Sequence, residues 1–452
     1  MGPGQPAAVS TVQDPRRATA CALSTPLESR FQRARAALGL ALLCLSAFAC
    51  DRAAEGRGPD SLPGAATASA PAPSAQARAA LPWLEAALGA AGSLPAEPHR
   101  KTRARLQEDV VRAAIELDLP AEALDWSQRI EGWRRGAVLA ELAAHEARAE
   151  RRDAAQRIVE LARQEEARAE QAGLADPSAQ TWQRERVRAR IAEAGLALGN
   201  GALAEEYGAG LGEAEAALLA GQRARSLDAE GFQAELEQLD AEIATKSFDR
   251  ARGALESLIV LQERFGALPE RRALLEQRLE QAWKCVPAMV QIDSLARLAQ
   301  VELSRGDRDA ARVRIEAAQA ALGQSVWTPE NRVPREARLA ELWFGVGEVE
   351  RAGRELEQAL ARFEEQRSQV VDIYRAGVLR PLAEGWLALG ERTRARALYL
   401  RTLEEGLGNP NSRPRAEDLV ATAVSLAVHG YGDDAELLAR LRHAIEGLGE
   451  PW

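Results

Sequence analysis

AGVLRPLAEGWLALGERTRARALYLRTLEE, residues Ala376–Glu405, is the stretch whose reading decides the fold. Leu379, Leu382, Ala383 and Trp386 fall three and four apart, so they share one stripe of a helix. Gly390 ends that stripe, because it can take the left-handed conformation that stops a helix. A second stripe, Ala395, Tyr399 and Thr402, then begins. Ala383 and Ala395 stand where two helices must approach closely, and Trp386 and Tyr399 fill the space beside them. The stretch predicts a helix, a tight turn and a helix.

The same pattern recurs upstream. Moving back 43 residues gives Glu336, Leu339, Ala340, Trp343, Gly347, Ala352, Leu356 and Ala359. A further 41 gives Leu295, Leu298, Ala299, Glu302, Gly306-Asp307, Ala311, Ile315 and Ala318. Looser copies precede these three. One carries Leu139, Leu142 and Ala143, a turn near Arg151-Arg152, then Ala155, Val159 and Ala162. Another has Ile191-Ala192, the turn Gly199-Asn200-Gly201, then Ala204, Leu211 and Ala214. A third runs Phe232, Leu236, Leu239 and Ile243, turns near Lys246-Ser247, and continues Phe248, Ala251, Leu255 and Leu258. The helical stretch Glu270 to Lys284 is left over as an extra element. The last hairpin follows the loop Asn409 to Arg415 and carries Leu419, Ala423, Leu426, Gly430 and Ala435. One hairpin cannot bury its own apolar stripe, so such copies must stack.

The pattern large–x–x–large–small–x–x–aromatic, Gly-Asp, then Ala, bulky and Ala resembles the tetratricopeptide repeat. That family repeats every 34 residues, whereas Gly306, Gly347, Gly390 and Gly430 lie 41, 43 and 40 apart, so the helices here are lengthened. The expected fold is all-α: a right-handed α-solenoid of stacked antiparallel helix hairpins, about seven of them. An N-terminal lobe, 79–290, and a C-terminal lobe, 291–452, would meet at the extra helix. The curvature of the stack is left open by the pattern.

Composition agrees. Aromatic residues are only 4% of the 452, while Ala, Leu, Glu and Arg dominate, as in long helices. Alternating Val, Ile and Thr bounded by turn pairs are missing, which argues against a sheet. The formal charge of −9 comes from both signs interleaved along helices, the signature of solvated faces. With no basic stripe, a nucleic-acid partner is not expected.

The N-terminus reads differently. Arg30, Arg33 and Arg35 precede an uncharged run, Ala36 to Ala49, too short to span a bilayer, which takes about 20 residues. A basic region, a short apolar core and Ala47-Phe48-Ala49 make a secretory signal with its cleavage site. The leader before Arg30 is longer than such a signal needs, which is compatible with a start codon downstream of Met1. Cys50, directly after the cleavage site, makes the segment resemble a bacterial lipoprotein signal, and the resemblance implies acylation of Cys50. Cleavage also removes Cys21 and Cys44, leaving only Cys50 and Cys285; without a lipid, Cys50 would be an exposed thiol or a partner for Cys285. Residues 1–49 are thus the leader, and 50–78, rich in Pro, Ala and Ser, a disordered tether. Five Arg leave with the leader against two acids, so −9 becomes −12. An acidic mature domain would not cling to anionic lipid, so any membrane attachment would have to come from the N-terminus, with the chain facing the periplasm; plain secretion, or retention by an uncleaved leader, are the alternatives.

Motifs for chemistry are absent or better explained by structure. His145-Glu146 lacks the second His of a zinc-protease helix, and the four His are scattered. Gly199-Asn200-Gly201-Ala202-Leu203-Ala204 matches a dinucleotide string but follows a helix instead of a strand. Asp433-Asp434 reads as an N-cap. No cofactor, metal or catalytic residue is expected. The tetratricopeptide resemblance implies ligands on the concave face of the first helices, at Gln300, Glu341, Phe344, Arg380, Glu384 and Leu387; Arg380 and Glu384 also read as a plain i,i+4 pair. The expectation is a non-enzymatic interaction scaffold for a protein or extended peptide. A structural spacer of the envelope, or a helical enzyme acting on an envelope glycan or lipid, are the alternatives.

Overall fold

The computed structural model describes residues 73–175 and 180–452. The leader, the Cys50 lipidation site and nearly all of the tether lie outside the described residues. Among the described residues there are nineteen α-helices and no strand. In chain order they are α1 (Ala75–Ser93), α2 (Ala96–Glu116), α3 (Pro120–Ser127), α4 (Trp133–Arg148), α5 (Arg152–Ala175) and α6 (Thr181–Leu198). Next come α7 (Gly201–Gly208), α8 (Glu213–Ser226), α9 (Gly231–Ala244), α10 (Phe248–Phe265), α11 (Pro269–Trp283), α12 (Ala288–Ser304) and α13 (Arg308–Gly323). The last are α14 (Pro329–Val346), α15 (Val349–Gln366), α16 (Asp372–Ala388), α17 (Arg392–Leu407), α18 (Ser412–Val428) and α19 (Ala435–Glu446).

The chain is an α-solenoid of neighbouring hairpins. The Gly turns fall where the sequence puts them: Gly306, Gly347, Gly390 and Gly430 have φ of 80°, 103°, 79° and 65°. Asp307 and Asp434 cap the helices that follow, each accepting a backbone N–H three residues on, at 3.0 and 2.9 Å. Even-numbered helices from α2 to α18 each pack against the next even-numbered helix, whereas the odd-numbered ones between them scarcely touch each other. The layer whose members all touch has the smaller circumference, so the even-numbered helices are the inner layer. Their burial agrees. Helix α4 buries eleven of the twelve consecutive residues 136–147, but α13 buries only Ala311, Ile315, Ala318 and Leu322 along one stripe.

One pairing differs from the sequence reading. The stripe of α9 was matched with α10, leaving α11 over. In the structure α10 takes α8 as its inner neighbour and α11 as its antiparallel mate, with α9 packed on the outside of both α10 and α11. The reason is the shared core: Leu275, Leu279 and Ala282 of α11 enter the cluster of Leu236, Leu239, Leu255 and Leu258. The close approach of α8 and α10 depends on Gly253, where a Cβ would lie 2.4 Å from that of Ala217.

The stack closes on itself. Helix α1 packs along α18, in the place a second helix of that hairpin would take, and α2 then touches α18 as the next inner helix. Ala77, Ala80, Trp83, Leu84, Ala87 and Leu88 of α1 are buried. Trp83 donates its indole N–H to the Gly432 carbonyl at 3.1 Å and meets Tyr431 edge-on, with ring centroids 6.2 Å apart. Tyr431 in turn stacks edge-on against Tyr399 at 5.6 Å. Arg105 of α2 pairs with Glu417 of α18 at 3.1 Å. The result is a ring of nine inner helices among the described residues, where the sequence pattern counts about seven hairpins. Helix α1 starts at Ala75, within the stretch read as tether, because Ser74 accepts from the Ala77 N–H at 3.0 Å and caps it.

Candidate functional site: the charged wall of the inner helices

Inner helices present two apolar edges to their neighbours and a third face that carries Arg and Glu. Helical spacing brings these charges level with those of the next inner helix, and they bond around the ring. Arg112 of α2 forms a two-pronged bond to Glu141 of α4, at 2.7 and 2.6 Å. Glu141 also takes Arg190 of α6 at 3.1 Å, and Arg190 bonds Glu193 at 2.8 Å. Arg186 of α6 donates to Glu215 of α8 at 2.6 Å. Arg134 of α4 pairs with the buried Glu108 of α2, and Arg297 of α12 with Glu256 of α10. Several of these carboxylates are almost sealed from water: Glu108, Glu193 and Glu215 are all buried. A buried carboxylate is tolerated only when paired and hydrogen-bonded, which is what the cross-helix arginines provide.

The electrostatics divide the wall. Burial drives Glu141 upward, yet Arg112 and Arg190 outweigh it and hold the carboxyl down at about 2. Burial wins at two other carboxyls. Asp109 of α2 is pushed up to about 6 by burial, with Glu108 adding to it against Arg105, Arg112 and Arg134. Asp418 of α18 is pushed up to about 7 by burial, with Arg380 opposing and Glu417 adding. A carboxyl whose folded pKa lies above its unfolded value, about 3.9, makes the folded state bind more protons between the two. Its contribution to stability is therefore present at low pH and is lost as pH rises from about 4 to 7. Asp418→Asn should gain stability relative to the parent across that window and show a constant difference above it. Chemical denaturation at a series of pH values measures this, and a difference independent of pH would contradict the burial of Asp418.

The residues singled out in the sequence fall on this wall or just behind it. Gln300 of α12 and Glu341 of α14 are brought together by Arg338, which donates to Gln300 at 3.0 Å and pairs with Glu341. Glu384 of α16 is buried and accepts from Ser425 of α18 at 2.8 Å; the same hydroxyl lies 2.8 Å from the Tyr399 hydroxyl. His429 stands 3.8 Å from Glu384. Burial pushes the Tyr399 hydroxyl well above the ordinary tyrosine range, so it stays protonated. Arg380 of α16 faces Asp418 and Tyr399 electrostatically. Phe344 is half-buried and packs against the cluster of Ile315, Leu339 and Trp343. Leu387 is half-buried. The four polar residues thus sit in two separate knots, one at α12–α14 and one at α16–α18.

Sequence reasoning missed the knot's other half, Tyr399, Ser425 and His429. Ser425 of α18 and His429, the residue just past its end, are four apart, a spacing visible in the sequence; their approach to Glu384 depends on the packing of α16 against α18. A second cluster, Asp118, His145 and Glu146, places three ligand-type atoms within 4.8 Å of each other. Arg151 already occupies it, bonding Asp118 at 2.6 Å and Glu146 at 2.6 and 2.9 Å, while His145 bonds Asp118 at 2.9 Å. Arg151 and His145 hold Asp118 below the usual carboxylate range, although burial pulls the other way. A cation would have to displace a guanidinium, so the donor set fits a salt-bridge knot better than a metal. Cys285 is half-buried against the α9–α11 core, its Sγ 3.8 Å from the Gln281 carbonyl. Compared with known proteins, the chain matches no family model and no curated protein.

Proposed function

We propose that the chain is a non-enzymatic scaffold that binds a protein or extended peptide, carried on the cell envelope by a lipid on Cys50. The observation that supports it most is the ring itself. Its wall charges are spent on bonds between neighbouring helices, which suits a stiff frame more than acid–base chemistry. Inner helices all run the same way in an antiparallel stack, so their N-terminal ends share one face. That face carries exposed Trp182, Phe248, Val326, Val371, Ile373 and Leu407. These are six of the eleven large apolar side chains exposed among the described residues, and exposed apolar surface of this kind is what a protein partner covers. Trp182 also stacks edge-on against Trp133 at 5.3 Å, which fixes it as a rigid contact. No helix among the described residues is long and apolar enough to cross a membrane; in this reading the lipid does the anchoring.

The test is a crosslinked pull-down of the full chain, tagged after Trp452, from the membrane fraction of its native host, beside Cys50→Ser. The expected result is one reproducible protein partner, with membrane recovery lost in the Ser variant. Recovery of both forms in the soluble fraction with no partner would defeat the reading.

A further inference from the structure

We infer that the face formed by the inner-helix N-termini holds a binding notch for a carboxylate flanked by aliphatic side chains on an extended segment of a protein partner. The inference rests on the scaffold reading and names the chemistry of its partner. Where α15 ends, α16 begins and α17 ends, there is a cavity of about 230 Å³ lined by Arg367, Asp372, Arg375, Arg401, Glu404 and Glu405.

Two of its three guanidinium groups are committed. Arg367 holds Glu405 with two bonds, at 2.6 and 2.9 Å, and Arg401 holds Glu364 in the same two-pronged way. Arg375 is different. Its Nε donates to the Val370 carbonyl at 3.0 Å, and its Nη1 stands 3.9 Å from Glu405, beyond hydrogen-bonding distance. The Nε bond fixes the plane of the guanidinium, and Arg375 lines the cavity with Glu405 as an ion-pair neighbour too distant to take its Nη hydrogens, which leaves them for one further carboxylate. Asp372 is engaged by the Asn409 amide at 3.2 Å and by its own helix, at the Ile373 N–H, 2.8 Å. Glu404 is exposed, a free acceptor for a partner's backbone N–H.

The rest of the notch selects the ligand. Three carboxylates in the same small space disfavour a dianion such as phosphate but tolerate a single negative charge beside Arg375. Val371 and Ile373 are the chain neighbours of Asp372, and Leu407 of Gly408, which both line the cavity; their exposures of 55%, 41% and 38% leave aliphatic surface next to it for aliphatic side chains beside the carboxylate. Such a ligand is an acidic residue, or a chain terminus, next to Leu- or Val-like residues.

The experiment uses the full mature chain and short fluorescein-labelled peptides of the pattern Leu-Glu-Leu, Leu-Gln-Leu and Leu-Lys-Leu, flanked by Gly-Ser and amidated. A further Leu-Leu peptide with a free terminal carboxylate separates a terminus from an acidic side chain. Fluorescence anisotropy should show the Glu peptide or the free-terminus peptide binding at least about tenfold tighter than the Gln peptide, with Lys weakest. Arg375→Glu should abolish the preference and Ile373→Asp should weaken all binding, both with unchanged melting temperature. Equal binding of all peptides, no binding, or an unchanged preference in Arg375→Glu would overturn the inference. If the peptides fail while a Cys50-dependent partner is still captured, the notch is wrong and the scaffold stands. Peptide binding without any captured partner would separate the two in the opposite sense.

Discussion

Trp83→Ala is expected to cost about 3–5 kcal/mol of stability, the range for deleting a buried aromatic side chain. Trp83 is 1% exposed and is the largest of the side chains that α1 buries. The variant loses the contact with Tyr431 and also the N–H bond to Gly432, leaving that carbonyl without its indole donor. The damage should be confined to the junction between α1 and α18. Hydrogen exchange would then show amides of α1, α18 and α19 losing protection first, while α8 to α11, on the far side of the ring, keep theirs. Urea denaturation followed by circular dichroism gives the stability change. A loss below about 1 kcal/mol would mean that α1 is an appendage and that the ring does not depend on it.

Gly253→Val tests the ring from within. The added Cβ alone would fall 2.4 Å from the Ala217 Cβ and 3.0 Å from its Cα, and the second contact is backbone. No rotamer relieves a clash with a helix axis, so α8 and α10 must separate. Overpacking of this kind costs about 1–3 kcal/mol where side chains can give way, and more where backbones must move. The expected outcome is a loss at the upper end of that range, or failure to fold. The control is Gly92→Val on α1, where a Cβ meets nothing within 4 Å and helix propensity, slightly better for Val than for Gly, should leave stability nearly unchanged. Thermal melts of the two variants side by side decide it. Equal effects would mean that α8 and α10 are less closely packed than described.

Much of the fold is legible in the chain because it is local. The Leu-Ala stripes and Gly turns of α12 to α17 act within one hairpin, and their spacing records them directly. The α8–α11 region was harder. Its turn at Lys246, like the earlier turns at Asp118 and Glu150, places a non-glycine residue at positive φ, so the Gly marker used elsewhere is missing and the hairpin phase slips. The closing contact could not be read at all. Trp83 and Gly432 are 349 residues apart, and nothing in the pattern of either hairpin specifies how many steps the stack takes before its ends meet. The charged wall shows the same division. Arg and Glu on first helices were visible, but read as solvated faces, because i,i+4 spacing on one helix does not reveal a partner on the next. Arg112 and Glu141, 29 residues apart, pair only after α2 and α4 are packed.

Closure also bears on how such a chain can vary. An open solenoid can gain or lose a hairpin at either end, since each unit contacts mainly its neighbours. A ring has no end at which to add. One hairpin more or fewer would change the angle at every junction, and each Arg–Glu pair along the wall would fall out of register with its mate. The number of hairpins is thus a property of the whole circumference, and length changes should be confined to the loops above and below it.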